Sequence, residues 1–240
     1  MARFVFVHGS WQGSWCWRQV VEALITRGHE AIAFDLPGHG EDLAPLENVT
    51  LQDYVDRTIQ AVNASADDPI LVGHSMGAGI INQVAEFIPG RIRALIYVAP
   101  LAPSNGHSMM SFVEAFDPEY LSQIDWSPDR RTVRIKPEGV RRFLYPLCPA
   151  KVIEAALPLF TAEPIAPYET PLALTEANFG RVSRYSIECL QDRVVPIAVQ
   201  RTIHAGIPSD HIYSLDTDHS PFFSAPEDLF LILNGISEKA

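Results

Sequence analysis

Residues 70–79 read Ile-Leu-Val-Gly-His-Ser-Met-Gly-Ala-Gly, an apolar run that passes through a G-x-S-x-G pattern into helix-period spacing. A serine on a sharp strand-to-helix turn takes a strained backbone conformation, and only small residues two before and two after it avoid collision. Gly73 and Gly77 occupy those two places, so Ser75 is read as a nucleophile. The helix beginning there aims free N–H groups and the positive end of its dipole at the site, which favours an anionic intermediate. The same pattern also describes an ordinary tight turn, so other residues must decide.

A serine hydroxyl needs a base, and among the eight histidines the one to look for stands late in the chain, outside the carboxyl edge of a sheet. His219 follows the last apolar run and precedes the last helical pattern, in Leu215-Asp216-Thr217-Asp218-His219-Ser220-Pro221, which suits the chain order serine, acid, histidine. His74 is read as a packing residue, its side chain directed away from Ser75, and His8 as a brace for its loop. His29, His39, His204 and His211 are read as residues at turns and element ends.

The third group must orient the imidazole and stabilise its charge. Asp192 stands after the strand pattern at 186–190, whereas Asp216 and Asp218 share the loop of His219 and are poorly placed to reach its ring. Asp192 is therefore favoured, against the plainer reading of a strand-end Asp capping a helix near Pro196. For the oxyanion, the expected donors are the backbone N–H of Met76, just after the nucleophile, and that of Ser10 in the loop after the first strand. Gly9 gives that loop freedom to turn an amide inward.

These groups need a scaffold. Short apolar runs rich in β-branched residues recur at 4–7, 31–34, 70–72, 94–98, 186–190 and 211–215, and runs without strict alternation suit strands covered on both faces. Helical patterns lie between them. Trp17, Val20, Val21 and Leu24 share one face before Gly28, and Thr50 with Asp53 opens a second helix over Leu51, Val55, Ile59 and Val62. A third continues from Ser75 to Pro89, and Pro226 opens the last. Alternation of this kind implies a mostly parallel sheet of about six strands with helices on both faces.

The rhythm breaks between about 101 and 185, a Pro-rich stretch with many large apolar residues, read as a cap inserted into one domain spanning 1–240. Phe112, Phe116, Leu121, Trp126, Phe143 and Phe160 are the expected lining of an apolar substrate pocket. Arg130, Arg131, Arg134, Lys136, Arg141 and Arg142 are read as a solvated basic face, with residues 131–135 alternating like a short strand.

Composition sets limits. At 240 residues, 47% hydrophobic and 20% charged, the chain is suited to one packed core. A net charge of -11 repels phosphate backbones and anionic lipid, so neither nucleic acid nor a membrane is expected as partner. The first residues form no cleaved leader pattern and no long apolar span occurs, so the cytoplasm is the expected location. Cys16, Cys148 and Cys189 are odd in number and widely spaced, as buried small hydrophobes rather than disulfide or zinc ligands.

Three motifs carry a resemblance. The H-G-x-x-x-G-x-W-x-W opening from His8 to Trp17, Gly-His-Ser-Met-Gly-Ala at 73–78 and Asp-His-Ser-Pro-Phe-Phe at 218–223 resemble the α/β-hydrolase superfamily. The similarity lies with its branch of plant methylesterases, hydroxynitrile lyases and related bacterial esterases. The resemblance implies an α/β-hydrolase fold in a compact six-stranded version, a cap over Ser75, no cofactor, no metal, and in many members a homodimer. Hydroxynitrile lyases of this branch carry a Lys after the catalytic His and a Thr after the first His, where this chain has Ser220 and Gly9. A serine carboxylesterase acting on small or aromatic uncharged esters is therefore expected. The alternatives are lyase-like triad chemistry and a low-turnover receptor for a small ligand.

Overall fold

The computed structural model describes all residues, 1–240. Six parallel strands form one sheet in the order β2-β1-β3-β4-β8-β9. They are β1 (Arg3–Val7), β2 (Glu30–Ala33), β3 (Ile70–His74), β4 (Ala94–Val98), β8 (Arg184–Cys189) and β9 (His211–Leu215). All five residues of β1, β3 and β4 are buried, which explains why their sequences run apolar without alternation. In β1 the rings of Phe4 and Phe6 meet His29 and Trp17 on one face. Val5 and Val7 then project to the other face.

Helices α1 (Arg18–Thr26) and α6 (Pro226–Ser237) pack against each other, as do α2 (Leu51–Asn63) and α3 (Gly77–Phe87). Helix α2 begins with the expected cap: Thr50 accepts from the Asp53 N–H while the Asp53 carboxylate accepts from the Thr50 N–H, an arrangement that satisfies two otherwise free amides. Gly28, at φ +94°, ends α1 in a conformation that glycine adopts without strain.

The chain leaves β1 for β2 on one side and returns to β3 on the other, so strand order reverses between β1 and β3. A crevice opens beyond the carboxyl ends of the strands at such a switch point. The segment between β4 and β8 crosses over that end. It contains an antiparallel sheet of β5 (Ile124–Trp126), β6 (Thr132–Ile135) and β7 (Glu163–Pro164), with α4 (Ala150–Ala156); helix α5 (Ile197–Gly206) follows later, between β8 and β9. The strand expected at 131–135 is β6; its partners β5 and β7 are too short to register as periodic patterns. Some of the basic side chains around it form surface ion pairs, among them Lys136–Asp125 at 3.2 Å and Arg141–Glu154 at 2.7 Å, each a small contribution to stability. All three cysteines are buried and free. No helix is long and apolar enough to cross a membrane.

Candidate active site

Ser75 sits between β3 and α3 with φ +51°, a left-handed conformation that costs a non-glycine residue about 1–2 kcal/mol. Crowding explains the neighbouring glycines. A Cβ on Gly73 would lie 2.6 Å from the Gly77 carbonyl oxygen, and one on Gly77 would lie 2.7 Å from that of Val7. The turn is held from both sides, Ser75 N–H donating to Val98 O at 3.0 Å and Ser75 O accepting from Leu101 N–H at 3.0 Å.

His219 and Asp192 come from the loops after β9 and β8. Backbone bonds from Leu190 N–H to Leu215 O and from Gln191 N–H to Thr217 O extend the pairing of these strands and bring the two loops side by side. His219 Nδ1 lies 2.7 Å from Asp192 Oδ2, with both side chains almost fully buried. Asp192 Oδ1 accepts from the N–H groups of Val194 and Val195 at 2.8 and 2.9 Å. The residue thus caps a turn and faces the imidazole at once. Asp216 is exposed and accepts from Gln191. Asp218 is buried but accepts from Leu147 N–H, Ser220 N–H and Ser224 Oγ, so it shapes the loop instead of meeting the His219 ring.

The loop after β1 passes directly over the turn. A Cβ on Gly9 would stand 3.0 Å from Ser75 Cβ and 2.6 Å from His74 Nδ1. The next N–H, that of Ser10, and the N–H of Met76 donate to no backbone or side-chain acceptor, as two free amides awaiting a negative oxygen would. His8 braces this loop. Its Nδ1–H donates to Gly9 O at 2.8 Å and its Nε2 accepts from Leu36 N–H at 3.2 Å. Burial and the nearby His39 lower its pKa to about 3, in keeping with a neutral ring that uses one nitrogen as donor and the other as acceptor.

Ser10, Ser75 and His219 line one cavity of about 240 Å³. No hydrogen bond joins the Ser75 and His219 side chains, a looseness common to catalytic pairs before substrate arrives. Most of the wall is apolar, and no lysine or arginine contributes to it. Phe116, Leu121 and Trp126 line it, as the sequence suggested, together with Met109, Met110 and Ile165. Phe112, Phe143 and Phe160 do not. Phe143 is fully buried against Tyr120, Phe160 packs on Trp15 and Tyr145, and Phe112 packs against the core. Aromatic type alone does not distinguish a wall from the filling behind it.

Four further groups escaped the sequence reading. Gln200, on α5, donates to Asp192 Oδ2 at 3.1 Å. His74 does more than pack: it donates from Nε2 to the His219 carbonyl oxygen at 2.8 Å, its ring centroid 4.6 Å from that of His219. Burial, then the neighbouring His219, pushes the His74 pKa well below the ordinary histidine value. The Tyr168 hydroxyl bonds to Ser10 Oγ, and Glu163 enters the cavity wall with only 1% exposure. Gln200, Tyr168 and Glu163 come from a helix or inserted segment whose sequence contains no recognisable motif, whereas His74 stands inside the serine motif and only its bond to the last loop was hidden.

The elbow, the loop above it and the buried Asp–His pair sit on a sheet that a family model also matches, that of the Alpha/beta hydrolase family over residues 4–231. The chain belongs to the alpha/beta hydrolase family. Methylesterase 7 of Arabidopsis thaliana is 30% identical to this alpha/beta hydrolase over 254 residues, covering 99% of this chain and 96% of the relative. Among solved structures, polyneuridine aldehyde esterase shares the fold with a TM-score of 0.92 at 21% identity, covering 99% of each chain. A pyrethroid hydrolase shares it with a TM-score of 0.86 at 26% identity, covering 99% of this chain and 98% of the other.

Proposed function

We propose that this chain is a serine carboxylesterase for uncharged esters bearing an apolar group, with Ser75 as nucleophile, His219 as base and Asp192 as its partner. The observation that carries the reading is the 2.7 Å bond from His219 to Asp192 beside a strained Ser75, in a cavity walled mainly by apolar side chains. Ser75 Oγ attacks the ester carbonyl carbon while His219 Nε2 takes the hydroxyl proton and Asp192 stabilises the imidazolium. The N–H groups of Ser10 and Met76 receive the negative oxygen. Collapse breaks the bond to the alkoxy group, which leaves as alcohol with the proton from His219. Water, deprotonated by the same ring, attacks the acyl-serine and releases the acid.

The absence of a cationic side chain from the wall, together with the carboxyl group of Glu163, supports neutral substrates. A carboxylate carried into that space would lose its hydration without gaining a partner. The segment at about 101–185 serves as the cap over the site.

The test is Ser75→Ala, which should lower turnover of an aryl acetate on the order of 10⁴-fold or more while the protein stays folded. An alkyl phosphonate should add its mass to Ser75 in the wild type. Full activity in the folded variant, or labelling confined to Ser10 or Ser220, would overturn the reading.

A further inference from the structure

Trp11, the residue after the proposed oxyanion donor Ser10, has φ +62°. A bulky side chain in that region is strained, and such a conformation persists only where its surroundings over-determine it. Three contacts from the inserted segment do so. Trp11 N–H donates to Glu163 Oε2 at 2.8 Å, Trp11 Nε1–H donates to Val133 O at 3.3 Å, and Trp11 O accepts from Thr161 N–H at 2.9 Å. Val133 and Glu163 are register partners on β6 and β7, so the small antiparallel sheet grips the loop as a unit.

Among these contacts Glu163 is the unusual one. A carboxyl group with 1% exposure is costly to bury unless both oxygens find donors. Its other oxygen, Oε1, accepts from the Tyr54 hydroxyl at 3.2 Å. Tyr54 Oη in turn lies 2.8 Å from His39 Nε2, and His39 Nδ1 lies 2.9 Å from Thr161 Oγ1. A closed ring of polar groups therefore runs from Trp11 through Glu163, Tyr54 and His39 to Thr161, and from the Thr161 N–H back to Trp11. Packing needs no carboxyl group here, since an apolar side chain of similar size would fill the space without it. What the carboxyl adds is a pair of fixed acceptors, one for the Trp11 N–H and one for the Tyr54 hydroxyl.

We infer that Glu163 is a positioning residue for the oxyanion site: by accepting the Trp11 N–H it holds the strained Ser10–Trp11 turn that leaves the Ser10 N–H free and aimed at the reacting carbonyl. The inference rests on the esterase reading. It deepens that reading by making the inserted segment part of the catalytic geometry in addition to a cover. Binding of the uncharged ground-state ester is carried by the apolar wall, so loss of the carboxyl group acts on the transition state.

The experiment compares Glu163→Met and Glu163→Gln with wild type for kcat and KM on an aryl ester. The same proteins are titrated with an aryl trifluoromethyl ketone, which forms a tetrahedral oxyanion on the serine, and with the matching methyl ketone, which binds in its ground-state form. Glu163→Met should lower kcat roughly 10- to 100-fold, as removal of one oxyanion donor does at most 10²- to 10³-fold, with KM within about threefold. Its affinity for the trifluoromethyl ketone should fall by the same factor as kcat/KM while that for the methyl ketone holds. Glu163→Gln keeps an oxygen for Trp11 N–H, but a neutral one, and charge-assisted bonds are about twice as strong. It should recover to within about tenfold of wild type. Wild-type kcat in folded Glu163→Met would overturn the inference, as would equal weakening of both ketones. Should the Met variant fail to fold, the Gln variant decides: a lowered kcat with unchanged KM supports the role, and an unchanged kcat overturns it. Ser75→Ala separates the two levels, because retained activity there removes the esterase reading itself, whereas an inactive Ser75→Ala beside a fully active Glu163→Met removes only the positioning role.

Discussion

Asp192 Oδ2 stands 2.7 Å from His219 Nδ1, and the carboxylate cannot turn away, because its other oxygen is held by the N–H groups of Val194 and Val195. Asp192→Asn replaces one oxygen with an N–H₂ group, and the two backbone donors will keep the remaining oxygen. The N–H₂ then faces His219 Nδ1, which must become an acceptor, leaving Nε2 protonated and useless as a base. We expect kcat to fall by roughly 10³- to 10⁴-fold with little change in folding. Asp216→Asn, on an exposed side chain, should leave kcat within about twofold. Asp218→Asn should lower thermal stability more than it lowers kcat. A nearly silent Asp192→Asn beside a crippled Asp216→Asn or Asp218→Asn would reverse the assignment.

The strand β4 coincides with the run read at 94–98, because burial on both faces leaves an apolar signature that survives without context. Strand β9 coincides with the run at 211–215 although it is an edge strand with most of its residues exposed, and there the β-branched and aromatic residues Ile212 and Tyr213 carry the signal. The common placement of Ser75, His219 and Asp192 was legible for a related reason: each follows a recognisable strand, and strand ends put them on one edge. Glu163 was not. It lies beside Pro164 in a strand of two residues, and its significance depends on Trp11, far away in the chain. Phe143 and Phe160 were misread because a buried aromatic in an irregular segment looks the same from sequence whether it faces a cavity or the core behind it. His74 was half legible: its packing role follows from its place beside the serine, but its bond to the His219 carbonyl oxygen requires knowing how the last loop folds back.

Gly9→Ala should damage catalysis without unfolding the protein. The added methyl would sit 2.6 Å from His74 Nδ1 and 3.0 Å from Ser75 Cβ, and His74 cannot yield freely because its other nitrogen holds the His219 carbonyl. The loop must move instead, taking the Ser10 amide with it. An expected loss of 10- to 100-fold in kcat follows from misplacing one oxyanion donor. Gly90→Ala is the control, since nothing lies within 4 Å of the added carbon. Steady-state kinetics on both variants checks the contrast, and equal activities would contradict it.

Stability should fall as the solution is acidified below about pH 6.5. His8 titrates at about 3 in the folded chain, burial being the main cause, and His74 is also held well below its ordinary value. The unfolded chain binds protons at these residues near pH 6.5 while the folded chain does not, so the unfolded state holds more protons and stability rises with pH across that window. Each histidine contributes a slope of about 1.4 kcal/mol per pH unit once well inside it. For His8 the window runs from about 6.5 down to about 3. His8→Gln should remove one such share from the slope between pH 5.5 and 4.5, whatever it does to stability at pH 7. Urea unfolding at several pH values measures the slope directly. An unchanged slope in the variant would show that His8 is protonated in the folded state.

Cyanohydrin cleavage should not accompany ester cleavage in this chain. Release of cyanide requires the site to stabilise a departing anion and to deprotonate a hydroxyl without acylating the serine. A lysine ammonium next to His219 would supply that charge, and the residue there is Ser220. The Ser220 hydroxyl is fully buried, makes no hydrogen bond, and does not line the cavity. Nor does any lysine or arginine from elsewhere reach the wall. The only donors near the reacting atoms are neutral amides, hydroxyls and the His219 ring, and a bond from a charged donor is about twice as strong as one from a neutral donor. Gly9, in turn, offers no hydroxyl to a substrate oxygen, and its tight approach to Ser75 leaves no room for one. Acyl transfer loses nothing by these differences, since it uses the two backbone amides and the triad. Parallel turnover of mandelonitrile and an aryl acetate, with spontaneous cyanohydrin decay subtracted, should give ester cleavage at least about 10³-fold faster, the factor that loss of a transition-state charge contact of about 4 kcal/mol would produce. Enzyme-dependent cyanide release at a comparable rate would mean that neutral donors suffice and that the absence of the lysine carries no weight.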